Sequence, residues 1–461
     1  MLKIKTIIII LFFVLACNSV HARIFFVDKS NNIASDKNPG TENMPWKTIS
    51  HAARIVKPGD IVMIKAGEYI ESDFHTPDLT STIGCEPGTI GIYINVSGTF
   101  SRPIKFMAYP GDRVVIKAKK LPLLIRHANN IIINGLIFES LHMDHGDAAV
   151  VMLEANNCII NKCEIIGHFI NTNDNHPGIY LKHCKNITIS NCKIHGTQGL
   201  SHNSAGYLSY FTSNVTIKNC YIYNCTVGIF FKANNYNFKI YKNIIRNCKN
   251  HAIFLCSRDT QYHAEISPYW DGKEETLYTR IYQNIIANCA SGIYLLAMSH
   301  TGKYISDWRN TLIWNNVFSY LKTGISVTGA PNLQIWNNIF YWVNVIFVGA
   351  HRKTIGPDIY IPRYSDHNCF FPSGKWILSP YRKDKKEYNR LINWQYAQNL
   401  DLDSFVSNPN FKDLSSFHLS KHSPCINAGI DRQDYNHDGN STEAIPLGCY
   451  ISKDDIIGPS I

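Results

Sequence analysis

Three neighbouring stretches of the sequence bring imidazoles and carboxylates to the same offsets ahead of a small residue. With Ala149, Gly178, Gly206 and Gly228 as a reference column, the residues two upstream are Asp147, His176, Ser204 and Thr226. Four upstream stand His145, Asp174, His202 and Asn224. Stacked on one another, a His beside a carboxylate is a base with a raised pKa and a fixed tautomer. Such a base can take the C5 proton of a uronate sugar, which the adjacent carboxyl group acidifies. His176 supported by Asp174 is the expected proton-transfer pair. The same cluster offers metal ligands: Asp147, Asp144 and Asp174 for Ca²⁺ through oxygen, or His145, His176 and His202 for Zn²⁺. No ligand spacing selects a metal, so none is required and Ca²⁺ is the one kept in view. The competing reading is a set of turn residues at strand ends.

Just downstream, alternation puts Ile179 and Leu181 on one face and Tyr180 and Lys182 on the other. The corresponding outward positions of later stretches carry Tyr210, Phe230, Lys232, Phe254 and Cys256, followed by Arg258. A stripe mixing cations with aromatic faces suits a carboxylate-bearing sugar chain. Lys182, Lys232 and Arg258 would neutralise the uronate and lower the cost of a carbanion-like intermediate. One of them would serve as the base itself if neighbouring cations depressed its pKa, and Tyr210 is a second acid. The stretches after the stripe carry Asp259, Glu265, Trp270 and Asp271, then Asp307 and Trp308. Trp270 and Trp308, with Tyr180, His145 and His202, are the expected substrate contacts along a groove. A glycosidase built on two of the acids Asp259, Glu265, Asp271 and Asp307 is an alternative, but no spacing picks a pair. A solvated face without a ligand is the other.

Stacking is what the rest of the sequence predicts. A nine-residue unit recurs, as in Asn130–Phe138, Asn157–Ile165, Asn186–Ile194 and Asn214–Ile222, and on to Asn332–Phe340. Its fourth residue is Ile133, Ile160, Ile189, Ile217, Ile240, Ile281, Ile313 and Ile335, at spacings of 27, 29, 28, 23, 41, 32 and 22. Alternating β-branched residues make each unit a strand. A further strand precedes it, as in Gly178–Leu181 and Gly228–Phe231. Turns of this length with short strands and no helical period predict a parallel β-solenoid. The seventh position of the unit reads Leu136, Cys163, Cys192, Cys220, Asn243, Asn284, Asn316, Asn338, a thiol stack passing into an amide ladder. Ile49, Ala52, Ala53 and Val56 predict a short amphipathic helix over the open end, stopped by Lys57-Pro58-Gly59-Asp60. The excess spacings place insertions around 257–278 and 298–310, and residues 372–400 read as a long loop.

The chain of 461 residues is 45% hydrophobic and 17% charged, which excludes a disordered chain, and the single long apolar run at its start excludes a multi-pass membrane protein. Residues 1–22 read as an export signal, with Lys3 and Lys5 ahead of an apolar Ile7–Ala16. Cleavage after Val20-His21-Ala22 competes with a lipobox, Val14-Leu15-Ala16-Cys17, that would anchor the protein to a membrane through a lipidated Cys17. Either way an extracytoplasmic protein is expected. The net charge of +10 becomes +8 without Lys3 and Lys5, which suits an anionic polysaccharide or simple solubility. No nucleic-acid partner is expected, and the chain is read as a monomer. Fourteen Cys leave thirteen without Cys17, an odd number that argues for small buried hydrophobes. Cys425 and Cys449, outside the repeats, are the pair expected to bridge.

Phe25-Phe-Val-Asp28, Asn38-Pro-Gly-Thr41, Pro45-Trp-Lys-Thr-Ile49 and Arg102–Ile116 resemble secreted right-handed parallel β-helix proteins. So do Ser365-Asp-His-Asn368, Asn408-Pro-Asn-Phe411, Ser423–Gly429 and Gly448-Cys-Tyr450. The resemblance is to the pectate-lyase-like and alginate-modifying superfamily, and it covers nearly the whole mature chain. It implies an all-β, single-stranded right-handed parallel β-helix over residues 23–461, with the repeat core at about 90–371 and an irregular region at 372–461. It also implies action on a uronate polymer by β-elimination or C5-epimerisation, or else glycan binding without turnover. Asp174-Asn-His176-Pro matches two residues of the mannuronan epimerase motif Asp-Pro-His-Asp/Glu and departs at the other two. Asp434–Gly439 opens like an EF-hand but has Ile445 where the loop needs Glu, so it reads as a turn.

Overall fold

The structure, a computed structural model, describes residues 22–73, 75, 78–79, 85–141, 148–171, 176–200, 202–232, 235–258, 278–298, 308, 310–350, 360–380, 383, 385–432, 444–451 and 455–459.

Each coil contributes three short strands, and each series of strands pairs in parallel with the coils before and after it. The first series runs from Ile24–Val27 to Tyr364–Asp366 as a 12-stranded sheet. The second includes Leu136–Ser140, Lys193–His195 and Ile285–Ala287. The third includes Ile179–Lys182, Ala205–Tyr210, Val227–Lys232 and His251–Arg258. Two long strands, Val317–Val327 and Ile339–Gly349, run through the second and third series and join them into one 22-stranded sheet. The fold is an all-β parallel β-helix, and in-register pairing extends beyond the 90–371 stretch at both ends, from Ile24 to Val406.

The register follows the nine-residue unit. Ile133, Ile160, Ile189, Ile217, Ile240, Ile281, Ile313 and Ile335 pair in unbroken succession. All are buried in a continuous apolar core. The unit turns corners at left-handed residues. Its first residue has positive φ at Asn130, Asn157, Asn186 and Asn214, and its sixth at Lys162, Asn191, Asn219 and Asn315. Asn tolerates this conformation because its short amide can bond locally.

The seventh position is the ladder the spacing predicts. Asn284 Nδ2 donates to Asn316 Oδ1 at 2.9 Å, Asn316 Nδ2 to Asn338 Oδ1 at 3.0 Å and Asn338 Nδ2 to Asn368 Oδ1 at 3.1 Å. Each amide oxygen also accepts the main-chain N–H of the preceding coil's Asn. Upstream, the Cys192 and Cys220 thiols approach the same kinds of carbonyl, one a coil back and one two residues back, so the thiol occupies the amide's place with a weaker donor. The ladder ends on the buried carboxylate of Asp401, which accepts from Asn368, Ser365, Ser404 and the Trp394 indole.

Both ends of the core are covered by short helices. The helix Ile49–Ile55 is capped by the Thr48 hydroxyl, while the Glu71 carboxylate accepts the N–H groups of Ile49 and Ser50. It buries Ile49, Ala52 and Ala53 as expected. The 372–400 region is not a loop: it contains strands Lys375–Leu378 and Lys386–Tyr388 and the helix Leu391–Gln398. Leu391 and Trp394, one turn apart, close the far end of the core. Two apolar anchors in eight residues give too weak a period to be read as a helix.

All thirteen described cysteines are buried free thiols. The Cys425–Cys449 bridge is therefore corrected. Cys425 instead makes its thiol contact with Cys369, inside an apolar cluster that Cys449 shares. No described helix is long and apolar enough to cross a membrane, and residues 1–21, with Cys17, lie outside the described residues.

Candidate functional site

The reference column holds. Val150 pairs with Ile179, Ile179 with Tyr207, and Tyr207 with Ile229, which sets Ala149, Gly178, Gly206 and Gly228 side by side. Glycine is needed there: a Cβ on Gly178 would lie 2.9 Å from the Gly206 carbonyl oxygen, and one on Gly228 would lie 2.5 Å from that of Ala252. Coil packs directly on coil at this point, which fixes what stands on either side.

On the outer face of the third series, Lys182 pairs with Tyr210, and Lys232 follows one coil on. The Lys232 ammonium lies 5.2 Å from the centre of the Tyr210 ring and donates to Asn203 Oδ1 at 3.1 Å. Tyr180 meets Tyr210 edge-to-face at 5.9 Å. Lys182, Tyr210 and Lys232 thus form a cation–phenol–cation row across three coils. Burial pushes the Tyr180 phenol far above its ordinary value.

His202 is exposed at the edge of this row, but it does not stack on Asn224 as the column predicts. The Thr226 N–H and hydroxyl are tied to Thr197 and Gly199. His202 instead reaches two coils on, stacking on His251 at 5.3 Å with Asn250 Nδ2 3.2 Å from its Nδ1. Desolvation, followed by the nearby His202, drives the His251 pKa down to about 3. Desolvation lowers that of His202 as well. His251, Asn203 and Asn250 are the site residues the sequence reading missed. Carrying the reference column one coil further to Ala252 would have exposed His251.

His176 is only 1% exposed and lies under this edge, its main-chain N–H donating to the Asn203 carbonyl. Trp308 is a correction: it is fully buried in the main core, where no sugar can touch it. The stripe is also less open than alternation suggests. Phe230, Phe254 and Cys256 point outward yet are 3–5% exposed, because Phe230, Phe254 and Tyr294 stack on one another at 4.5 and 5.1 Å and form a second apolar layer. Asp144, His145, Asp147, Asp174, Trp270 and the acids Asp259, Glu265, Asp271 and Asp307 lie outside the described residues, as does the whole of Asp434–Gly439. Arg258 ends the strand His251–Arg258.

Among the described residues one group of ligand atoms comes close enough for a cation, on Asp366, His367 and Asp403. The Asp366 carboxylate already accepts the N–H groups of His367 and Asp403 at 2.8 and 2.7 Å. A turn accounts for that cluster without a metal.

With this geometry in place, comparison with known proteins locates the fold. Residues 29–249 match the family model described as Pel9A-like, right handed beta helix region. Over that stretch, just under half of the chain, it is similar to that family, and the fold is a parallel β-helix. The crystal structure of pectate lyase Pel9A is 13% identical, with a TM-score of 0.51 over 93% of this chain and 96% of that one. A rhamnogalacturonan lyase is 15% identical, with a TM-score of 0.49 over 85% and 91%. The uncharacterized protein YwoF of Bacillus subtilis (strain 168) is 24% identical over 233 residues, 48% of this chain and 42% of that relative's length.

Proposed function

We propose that this protein is an extracytoplasmic enzyme that cleaves an acidic, uronate-containing polysaccharide by β-elimination. The observation that carries the reading is the Lys182–Tyr210–Lys232 row, two ammonium groups flanking a phenol on consecutive coils of one face. A uronate carboxylate drawn to one ammonium has its C5 proton made more acidic, since the cation stabilises the charge that develops on the carboxyl oxygens. The other lysine, in its neutral form, takes that proton. The C5–H electron pair becomes the C4–C5 double bond, the C4–O bond breaks, and the departing oxygen takes a proton from Tyr210 or water. Atoms and charge balance without a redox partner. The match to a Pel9A-like helix region supports a polymer of this class.

Asn203 gives the buried histidine a part in this scheme. Its carbonyl accepts from the His176 N–H and its amide oxygen from Lys232. That bond is a main-chain one, so the backbone at His176 helps hold Asn203, and with it the Lys232 ammonium, whatever side chain stands there. Arg258 is a further cation for the polymer. Returning a proton to the opposite face of C5 in place of breaking C4–O would give epimerisation on the same residues.

The test is incubation with pectin, alginate and chondroitin, following absorbance of the unsaturated product and uronate stereochemistry by NMR. The account expects an unsaturated product with one of them. New reducing ends with no unsaturation would instead establish a hydrolase. Binding with neither product nor stereochemical change would establish a glycan-binding module.

A further inference from the structure

The corner between the second and third series has its own left-handed column. Asn224, Asn247 and Asn288 occupy it on successive coils with φ of 53°, 56° and 55°. On the next two coils the same corner carries Tyr320 at 53° and Trp342 at 55°. A bulky aromatic is a poor occupant of this conformation, whereas Asn is a good one. Packing does not explain the exchange, since Tyr320 is 44% exposed and Trp342 48%. Edge-to-face contacts with Tyr341 and Phe371 fix the orientation of both rings without burying them.

These two rings line an open cleft of about 560 Å³ together with Lys249, Lys322, Asn288 and Asn344. All four polar side chains are exposed, and among the described residues neither lysine has an acidic partner. The cleft lies at the start of the third-series strands, whose opposite ends carry the lysine row. Lys249 and Asn250 lead into His251, and Leu321 and Lys322 lead into the third-series half of Val317–Val327.

We propose that this cleft is a second sugar-binding subsite, in which Tyr320 and Trp342 are successive platforms for an acidic glycan and Lys249 and Lys322 engage its carboxylates. Coils lie about 4.8 Å apart, close to the length of one pyranose along a chain, so platforms on adjacent coils meet adjacent sugars. Asn288 and Asn344 supply amide donors and acceptors for hydroxyl groups. The ligand class rests on the acidic-polysaccharide reading above. The site itself rests on exposed aromatics held where the fold elsewhere uses Asn.

The test uses the full chain, with short oligogalacturonate, oligoalginate and chondroitin oligosaccharides and an uncharged oligogalactose as probes, read by calorimetry and tryptophan fluorescence. Tyr320→Asn and Trp342→Asn restore the corner's usual residue. Each is expected to weaken acidic-oligosaccharide affinity about tenfold while the melting temperature holds or rises. Lys249→Gln with Lys322→Gln is expected to weaken binding and flatten its salt dependence. If the wild type binds and cleaves an acidic polymer while both Asn variants bind it as tightly, the subsite is overturned and the enzymatic reading stands. If the oligogalactose binds equally well and the lysine pair is silent, the acidic ligand class is overturned. If the wild type binds none of the acidic probes, subsite and enzymatic reading both fall.

Discussion

The lysine row is the smallest unit on which the proposed activity depends. Lys232→Ala should lower kcat about 10²–10⁴-fold on the cleaved polymer, and Lys182→Ala should do so comparably, each measured by initial rates of unsaturated product. His176→Ala keeps the main-chain bond to Asn203 and should therefore lower kcat less than either lysine variant does. Equal loss in all three would return His176 to a direct role. His251 makes a separate prediction. Its folded pKa of about 3 lies below the 6.5 of an unperturbed imidazole, so the neutral form is the one the fold retains. The stability this gives is complete above pH 6.5 and is lost as pH falls toward 3, on the order of 2–4 kcal/mol in all. His251→Phe should remove that part of the acid destabilisation, seen as urea midpoints that fall less between neutral and mildly acid pH.

Among the elements, the amide ladder is the one whose contribution can be isolated. Asn316 sits mid-ladder and is fully buried, so Asn316→Ala leaves the Asn284 amide, the Asn284 N–H and the Asn338 oxygen each short of a partner. A cost of about 2–4 kcal/mol is expected in urea unfolding, against little change for an exposed Asn such as Asn344. This level was the most legible in the sequence. The strands, their register and the passage from thiol to amide all follow from one nine-residue period, because in a solenoid every long-range contact is a local pattern repeated. Legibility failed where the period is interrupted. His202 reaches two coils on to stack on His251, whereas column alignment sets it over Asn224. Alternation marks Phe230 and Phe254 as outward but does not say that outward side chains pack on one another. Trp308 follows an insertion, where no register was available to place it in the core.

For the molecule as a whole, the solenoid has no disulfide among the described residues, its length supplying a continuous core closed by a helix at each end. Burial pushes the ladder thiols Cys163 and Cys192 well above the ordinary thiol range. A thiol reagent should therefore react negligibly with the native chain and, after denaturation, titrate the thirteen cysteines beyond residue 21. A shortfall of two in the denatured count would reveal a bridge. The central claim is that a lysine row on the outer face of the third series performs β-elimination on a uronate polymer. The most direct measurement is the absorbance of unsaturated product from pectin, alginate and chondroitin, with wild type and Lys232→Ala side by side. The account predicts product with one polymer from the wild type and a rate at least about 10²-fold lower from the variant. Unsaturated product forming at the same rate from both would contradict it.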